Sequence, residues 1–248
     1  MAKRGGKSDW QDPRRASVTM PVRPARFDAW LETHFAPYDG VASPWDRFPP
    51  GGDEPIPQYE GSDAEIVELF TYTMLSSGDE LRRFTDFQVG NGLNVLFSGN
   101  FCDIPHTIRN GSVPFEQKLA AVQSIQSLYS DCLTPRAPAV LGKRSEPGDC
   151  PPLSFICYML WDVTPLAYWK DTPRADEMYR ATVDVMAFAL LSTNVAVIES
   201  GLHGLGHTVY NFKEPAVAAI DRFLEKRRGH VSEELISYAL QARTGMIQ

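Results

Sequence analysis

From residue 62 onward, the chain is a succession of segments that each begin with a helix cap and continue with apolar residues at helical spacing. Ser62, Asn194 and Ser232 stand where an N-cap side chain is expected, and Thr85 with Gln88 has the spacing of a capping box. We find no sustained alternation of apolar and polar residues bounded by hairpin turns. The sequence therefore predicts an all-α fold with almost no β-sheet.

Composition divides the chain into three regions. Residues 1–23 are predicted to form a flexible basic tail. Residues 24–61 contain a helical pattern near residues 24–35 and then the run SPWDRFPPGGDEPIPQYEG, whose prolines and glycines exclude a regular helix. This run is either a linker or an arm, and its aromatic residues favour an arm that packs on the body. Residues 62–248 are predicted to form a single all-α domain.

The charge distribution and the apolar runs exclude several classes of partner. Seven of the 24 Lys and Arg residues, but only two of the 31 Asp and Glu residues, lie in residues 1–26, so the rest of the chain carries a net charge of −12. Such an acidic body argues against nucleic-acid binding. No apolar run is long enough for a membrane span, and the N-terminus lacks the apolar core of a signal peptide. The four cysteines show neither close pairs nor zinc-finger spacing, which predicts reduced thiols in a cytoplasmic protein.

The run TNVAVIESGLHGLGHTVYNF at residues 193–212 has the strongest chemical signal in the chain. Glu199, His203 and His207 are spaced four residues apart within an apolar helical pattern. Residues four apart lie on the same face of a helix, so His203 and His207 could bind one metal ion, as histidine pairs do in zinc proteases. Glu199 and His207 are separated by roughly 12 Å along the helix axis, so all three cannot bind one ion. The glutamate that follows the first histidine of the protease motif is replaced by Gly204.

A metal bound by one adjacent pair from this run needs further ligands from other parts of the chain. The polar candidates are Asp103, His106 and Asp162. Asp103 and His106 could also form an acid–base pair, or Asp103 could cap a turn. Asp162 follows an apolar run, where a carboxylate needs a partner; it either caps the backbone near Pro165 or joins a site through an arginine or through His203.

The glycines of the same run leave two structures open. Gly201, Gly204 and Gly206 each cost about 1 kcal/mol in a helix interior. Either the helix packs so closely that only a hydrogen fits, or it ends near Gly204. Glu199 and His203 can then be a structural hydrogen-bonded pair, part of a metal-free binding or catalytic site, or part of a metal site.

Aromatic residues near Asp162 offer a wall for such a site. Tyr158 and Trp161 either line a ligand pocket or belong to the core.

The run ESGLHGLGH, followed by a proline and an AAIDRFL helix, resembles a segment of HEAT-like α-solenoid bacterial proteins of unassigned function. The resemblance covers residues 62–248 and implies a HEAT-like array of helical hairpins behind an irregular proline-rich N-terminal arm. The sequence shows no clean repeat period, so a compact α-bundle remains an alternative.

Two functions follow from these observations. The first is a protein–protein interaction module, similar to an immunity or adaptor protein, which needs no cofactor and binds a protein partner. The second is an all-α enzyme whose catalytic residues are His203, Glu199 and Asp162, with a transition metal such as zinc or iron as its cofactor and a small-molecule ligand. Nucleophile elbows, P-loops and dinucleotide fingerprints are absent from the sequence.

Overall fold

The structure is a computed structural model that describes residues 14–142 and 150–247; residues 1–13 of the predicted basic tail lie outside this part. The described residues form helices and no strand, so the predicted all-α fold is confirmed. Its α-helices are α1 (Phe27–His34), α2 (Pro44–Arg47), α3 (Asp63–Leu75), α4 (Ser77–Glu80), α5 (Asp86–Phe97), α6 (Ile104–Asn110), α7 (Phe115–Ser127), α8 (Thr134–Arg136), α9 (Pro152–Val163), α10 (Ala175–Ala189), α11 (Val195–Thr208), α12 (Lys213–Arg227) and α13 (Glu233–Thr244).

Four helices begin at the cap residues that the sequence predicts. The Ser62 hydroxyl accepts a hydrogen bond from the Glu65 amide, and Ser232 does the same at the start of α13. Thr85 makes the predicted capping box, and the Asn194 side chain caps α11. Each of these bonds satisfies a backbone N–H group that the first helical turn leaves unpaired.

Two series of helices run through the body. The first series has contacts from α3 to α7, from α7 to α10 and from α10 to α12, and the second has contacts from α5 to α9, from α9 to α11 and from α11 to α13. The pairs α10–α11 and α12–α13 connect the two series. Stacked helical hairpins produce this neighbour pattern. The resemblance to HEAT-like proteins stays a prediction.

The N-terminal region contacts the body through aromatic side chains. Trp30 of α1 is fully buried and donates a hydrogen bond from its indole to Thr73 of α3 over 2.9 Å. The Tyr59 ring lies 5.2 Å from that of Trp30, and Trp45 lies 4.7 Å from Phe101. Residues of the predicted arm thus share apolar surface with residues of the body.

Two further sequence features have simple outcomes. None of the helices in the described ranges is long and apolar enough to cross a bilayer. The four cysteines form no disulfide, and Cys102, Cys132 and Cys157 are buried. Burial raises the pKa of the Cys157 thiol to about 12.

His34 is a buried histidine outside the run at residues 193–212. Its Nδ1 atom lies 3.0 Å from the Trp30 carbonyl oxygen, so Nδ1 carries the proton and donates. Its Nε2 atom has no hydrogen-bond partner among the described residues. Burial lowers the pKa of His34 from 6.5 to about 4, because the site offers the imidazolium no second acceptor.

Protonation of His34 should destabilise the protein in acid. Between pH 6.5 and about 4 the unfolded chain binds this proton and the folded chain does not. The contribution of His34 to stability is therefore complete above pH 6.5 and is lost as the pH falls through that window. When the pH is lowered from about 7 to about 4, we expect the free energy of unfolding in urea to fall by about 3 kcal/mol less for His34→Gln than for the wild type. The exposed His230→Gln is the control; equal losses in wild type and His34→Gln would contradict this assignment.

Candidate functional site

Helix α11 is continuous from Val195 to Thr208, and its glycines lie at close contacts with three neighbours. A Cβ atom would lie 2.5 Å from the Met186 carbonyl oxygen at Gly201, 2.5 Å from Cδ1 of Trp161 at Gly204, and 2.5 Å from Cδ1 of Ile247 at Gly206. Real Cβ atoms are essentially never found that close. Only glycine fits against the backbone at Gly201 and against the buried indole ring at Gly204, whereas at Gly206 the end of the Ile247 side chain can move aside. Of the two structures left open by the sequence, the helix therefore adopts the one with close packing.

This packing brings together Asp162, His203 and His207. The Asp162 carboxylate lies in the last turn of α9, with Oδ2 at 2.7 Å from Nε2 of His203 and Oδ1 at 2.5 Å from Nε2 of His207. The two Nε2 atoms lie 3.2 Å apart. The three side chains form the one group among the described residues whose His, Cys, Asp or Glu ligand atoms converge as a metal site requires, all within 4.8 Å of one another.

The charge of Asp162 is stabilised by the two histidines. Burial disfavours the charged form, but the hydrogen bonds from His203 and His207 outweigh burial and hold the pKa of Asp162 well below its usual range. The carboxylate is therefore ionised at neutral pH. The two bonds also orient both imidazoles with Nε2 toward the same point.

The other side of His203 contacts two tyrosines. Nδ1 of His203 lies 2.5 Å from the hydroxyl of Tyr238 in α13, and that hydroxyl lies 3.4 Å from the hydroxyl of Tyr158 in α9. The Tyr158 ring packs against His203 with 4.5 Å between ring centres. Burial raises the pKa of both tyrosines, so their hydroxyls stay protonated at neutral pH. Consecutive helices of one series, α9, α11 and α13, thus supply the whole cluster.

Two side chains of the cluster are exposed to solvent. The His203 side chain is 2% exposed, whereas those of Asp162 and His207 are 23% and 40% exposed. A small molecule or ion reaches the cluster from the side of His207. On the other side of His203, Tyr238 is buried and Tyr158 is partly exposed.

A hydrogen-bonded chain in the interior fixes α9 relative to α11. The Trp161 indole donates to the Tyr129 hydroxyl over 2.8 Å, and that hydroxyl lies 2.8 Å from the hydroxyl of Ser200. Tyr129 belongs to a π-helical turn, residues 128–133, that follows α7. Because Trp161 directly precedes Asp162 and Ser200 lies one turn before His203, this chain sets how the carboxylate meets the histidines.

The other site residues that the sequence predicts are not part of the group formed by Asp162, His203 and His207. Glu199 is buried and accepts a hydrogen bond from the Gly142 amide over 2.5 Å. Trp161 is a core residue with its ring against Gly204. Asp103 precedes α6 without capping it, and His106 lies in α6 with Nε2 next to Gly99.

Two groups of side chains in and near the cluster give no signal in the sequence. Tyr238 occurs in the helical pattern EELISYALQAR, where nothing distinguishes it from a core tyrosine. Tyr129 and Ser200 are equally inconspicuous, because the signal that identifies them is the hydrogen-bonded chain that starts at Trp161 and not their spacing.

Two imidazoles and one carboxylate suit a borderline or hard divalent cation such as zinc or iron(II). The Nε2 atoms meet the geometric requirement, since two nitrogens bound to one zinc ion at about 2.0–2.1 Å cannot lie more than about 4.2 Å apart.

The chain matches no protein-family model, no curated protein and no solved structure.

Gly204→Ala should destabilise the protein, although alanine ordinarily stabilises a helix interior by about 1 kcal/mol relative to glycine. The new methyl group would lie 2.5 Å and 2.6 Å from two atoms of the Trp161 ring. We expect the free energy of unfolding in urea to fall by about 1–3 kcal/mol. Ala218→Gly in the half-buried face of α12 measures the ordinary effect of glycine. A more stable Gly204→Ala protein would show that the contact with Trp161 is not tight.

Proposed function

We propose that the chain is a metal-dependent enzyme in which Asp162, His203 and His207 bind one divalent transition-metal ion. The observation that carries this proposal is the convergence of two Nε2 atoms, 3.2 Å apart, on the two oxygens of one ionised carboxylate. The proposed reaction class is hydrolysis of a small-molecule substrate.

The electrostatics of the cluster support a cation at this point. When both histidines are neutral, each must donate its Nε2 hydrogen to Asp162, so the positive ends of two N–H dipoles lie close together. A divalent ion replaces both protons and is stabilised by both lone pairs and by the carboxylate charge.

The number of ligands supports a catalytic and not a purely structural ion. Structural zinc sites are closed by four protein ligands, whereas catalytic sites have three and leave a position for water or substrate. Asp162, His203 and His207 make three among the residues that the structure describes, and the exposed edge of His207 is where that position would open. An ion in such a site lowers the pKa of its bound water to about 7.

The protein side chains divide the remaining work. Asp162 supplies the negative charge that holds the ion, and its two oxygens keep His203 and His207 in place. Gly204 stands where zinc proteases have their general base, so this chain does not use that residue position for proton transfer. Ligand recognition falls to the open side of the cluster, which Asp162 and His207 border.

The interaction-module function stays a prediction, and so does its protein partner. Its test is recovery of one stoichiometric partner with the purified chain, compared between wild type and a folded His203→Ala variant. The same two proteins serve the metal experiment, which separates the two functions.

Metal content is the decisive measurement for the proposed function. We expect untagged protein purified without chelator to contain close to one zinc or iron atom per chain by inductively coupled plasma mass spectrometry. His203→Ala and His207→Ala should lose this metal, because each removes one of three ligands. His207 is the more exposed of the two, so its variant tests the ligand role with the smaller risk to folding.

The exposed His230→Ala is the matched control, and it should retain the metal. Metal-free wild-type protein that also fails to take up added zinc or iron(II) would refute the site. The identity of the metal then selects the reactions to screen: zinc points to hydrolysis, while iron(II) on two histidines and a carboxylate is the ligand set of oxygenases.

A further inference from the structure

The Tyr238 hydroxyl stands between two hydrogen-bond partners and has only one hydrogen to donate. Its oxygen lies 2.5 Å from Nδ1 of His203 and 3.4 Å from the Tyr158 hydroxyl. The direction of the first bond depends on which ring nitrogen of His203 carries the proton. The proton on His203 therefore decides where the Tyr238 hydroxyl points.

Without a metal ion, the contact with Asp162 fixes that proton. Nε2 of His203 lies 2.7 Å from Oδ2 of the ionised carboxylate, which can only accept, so Nε2 must be the donor. A neutral imidazole then has a bare Nδ1, and Tyr238 donates its hydrogen to it.

A metal ion on Nε2 requires the opposite arrangement. Nε2 must then offer its lone pair, so the neutral ring carries its proton on Nδ1 and donates it to the Tyr238 oxygen. The Tyr238 hydroxyl then donates its hydrogen bond to the Tyr158 oxygen instead. One proton leaves Nε2 for solvent and one arrives at Nδ1 from solvent, so His203 is neutral before and after.

We infer that Tyr238 is the positioning residue of the proposed metal site: it accepts the Nδ1 proton of metal-bound His203 and turns its own hydroxyl from His203 to Tyr158 when the ion binds. This inference rests on the proposed function. The observation behind it is that the Tyr238 hydroxyl lies within hydrogen-bond distance of both Nδ1 of His203 and a second acceptor, the Tyr158 oxygen. Because Tyr238 is buried, water cannot take the place of its hydroxyl. Such outer partners orient a ligating histidine and increase its basicity.

Histidine ¹⁵N spectra test the inference directly. Protein labelled at its five histidines is compared at about pH 8, where an imidazole of ordinary pKa, about 6.5, is neutral. Long-range ¹H–¹⁵N correlation shows which nitrogen of each ring is protonated, and single-histidine variants give the assignments. We expect His203 to carry its proton on Nε2 in metal-free protein and on Nδ1 after addition of one equivalent of zinc.

His207 separates the two possible failures, because its Nε2 faces the same ion while its ring is not bonded to Tyr238. If zinc leaves the Nε2 resonances of His207 and His203 unchanged, the metal site is wrong and the inference falls with it. If zinc shifts His207 but His203 has the same protonated nitrogen in both states, only the inference is overturned.

Zinc affinity supplies the second readout. Tyr238→Phe keeps the ring in the core and removes the acceptor, so we expect its zinc dissociation constant to rise about 10- to 100-fold, as loss of such an outer partner usually causes. The exposed Tyr210→Phe is the control and should bind zinc as tightly as the wild type, whereas Tyr158→Phe, which removes the acceptor of the Tyr238 hydroxyl in the metal-bound state, should also weaken zinc binding. A folded Tyr238→Phe protein that binds zinc as tightly as the wild type would overturn the positioning role.

Discussion

The close packing of α11 against three neighbours is the constraint on which the site depends. Packed helices ordinarily lie 8–10 Å apart, at a distance that their side chains set. Gly201, Gly204 and Gly206 remove the side chain where α10, α9 and residue Ile247 beyond α13 approach. Short distances between helices allow short side chains from different helices to meet. An aspartate on α9 can therefore reach two histidines on α11, and a tyrosine on α13 can reach the far side of one of them.

The polar groups in this packed region are satisfied as a network, which limits their cost. Buried polar atoms without partners cost about 1–3 kcal/mol each. Trp161, Tyr129 and Ser200 satisfy one another between α9, the π-helical turn after α7 and α11, and His203 uses both of its nitrogens. The network also removes freedom from α9, because the Trp161 indole fixes the turn that carries Asp162. The orientation of the Asp162 carboxylate is therefore set by packing in the core and not by contacts at the solvent-exposed edge.

The sequence predicts the parts of this structure that depend on neighbours along the chain. Caps at Ser62 and Asn194 depend on the next three residues, and the shared face of His203 and His207 depends on helical periodicity alone. The sequence also identifies Asp162 as a carboxylate in need of a partner and names His203 as a candidate. It cannot find Tyr238, because the contact joins residues 35 positions apart and depends on how α13 packs on α11. For the same reason Asp103 could not be distinguished from Asp162 as a candidate ligand.

Helix α11 combines two local costs, interior glycines like those of α5 and a buried histidine that faces a carboxylate, and the second of these supports the proposed site. Three interior glycines lower the intrinsic stability of the helix by roughly 3 kcal/mol relative to alanine. A buried histidine facing an ionised carboxylate adds a desolvation cost that an apolar pair of similar volume would avoid. A chain under selection for packing alone has cheaper ways to join α9 to α11. Departures from local rules are expected where a site must be held in place, and in α11 every such departure lies within two turns of His203.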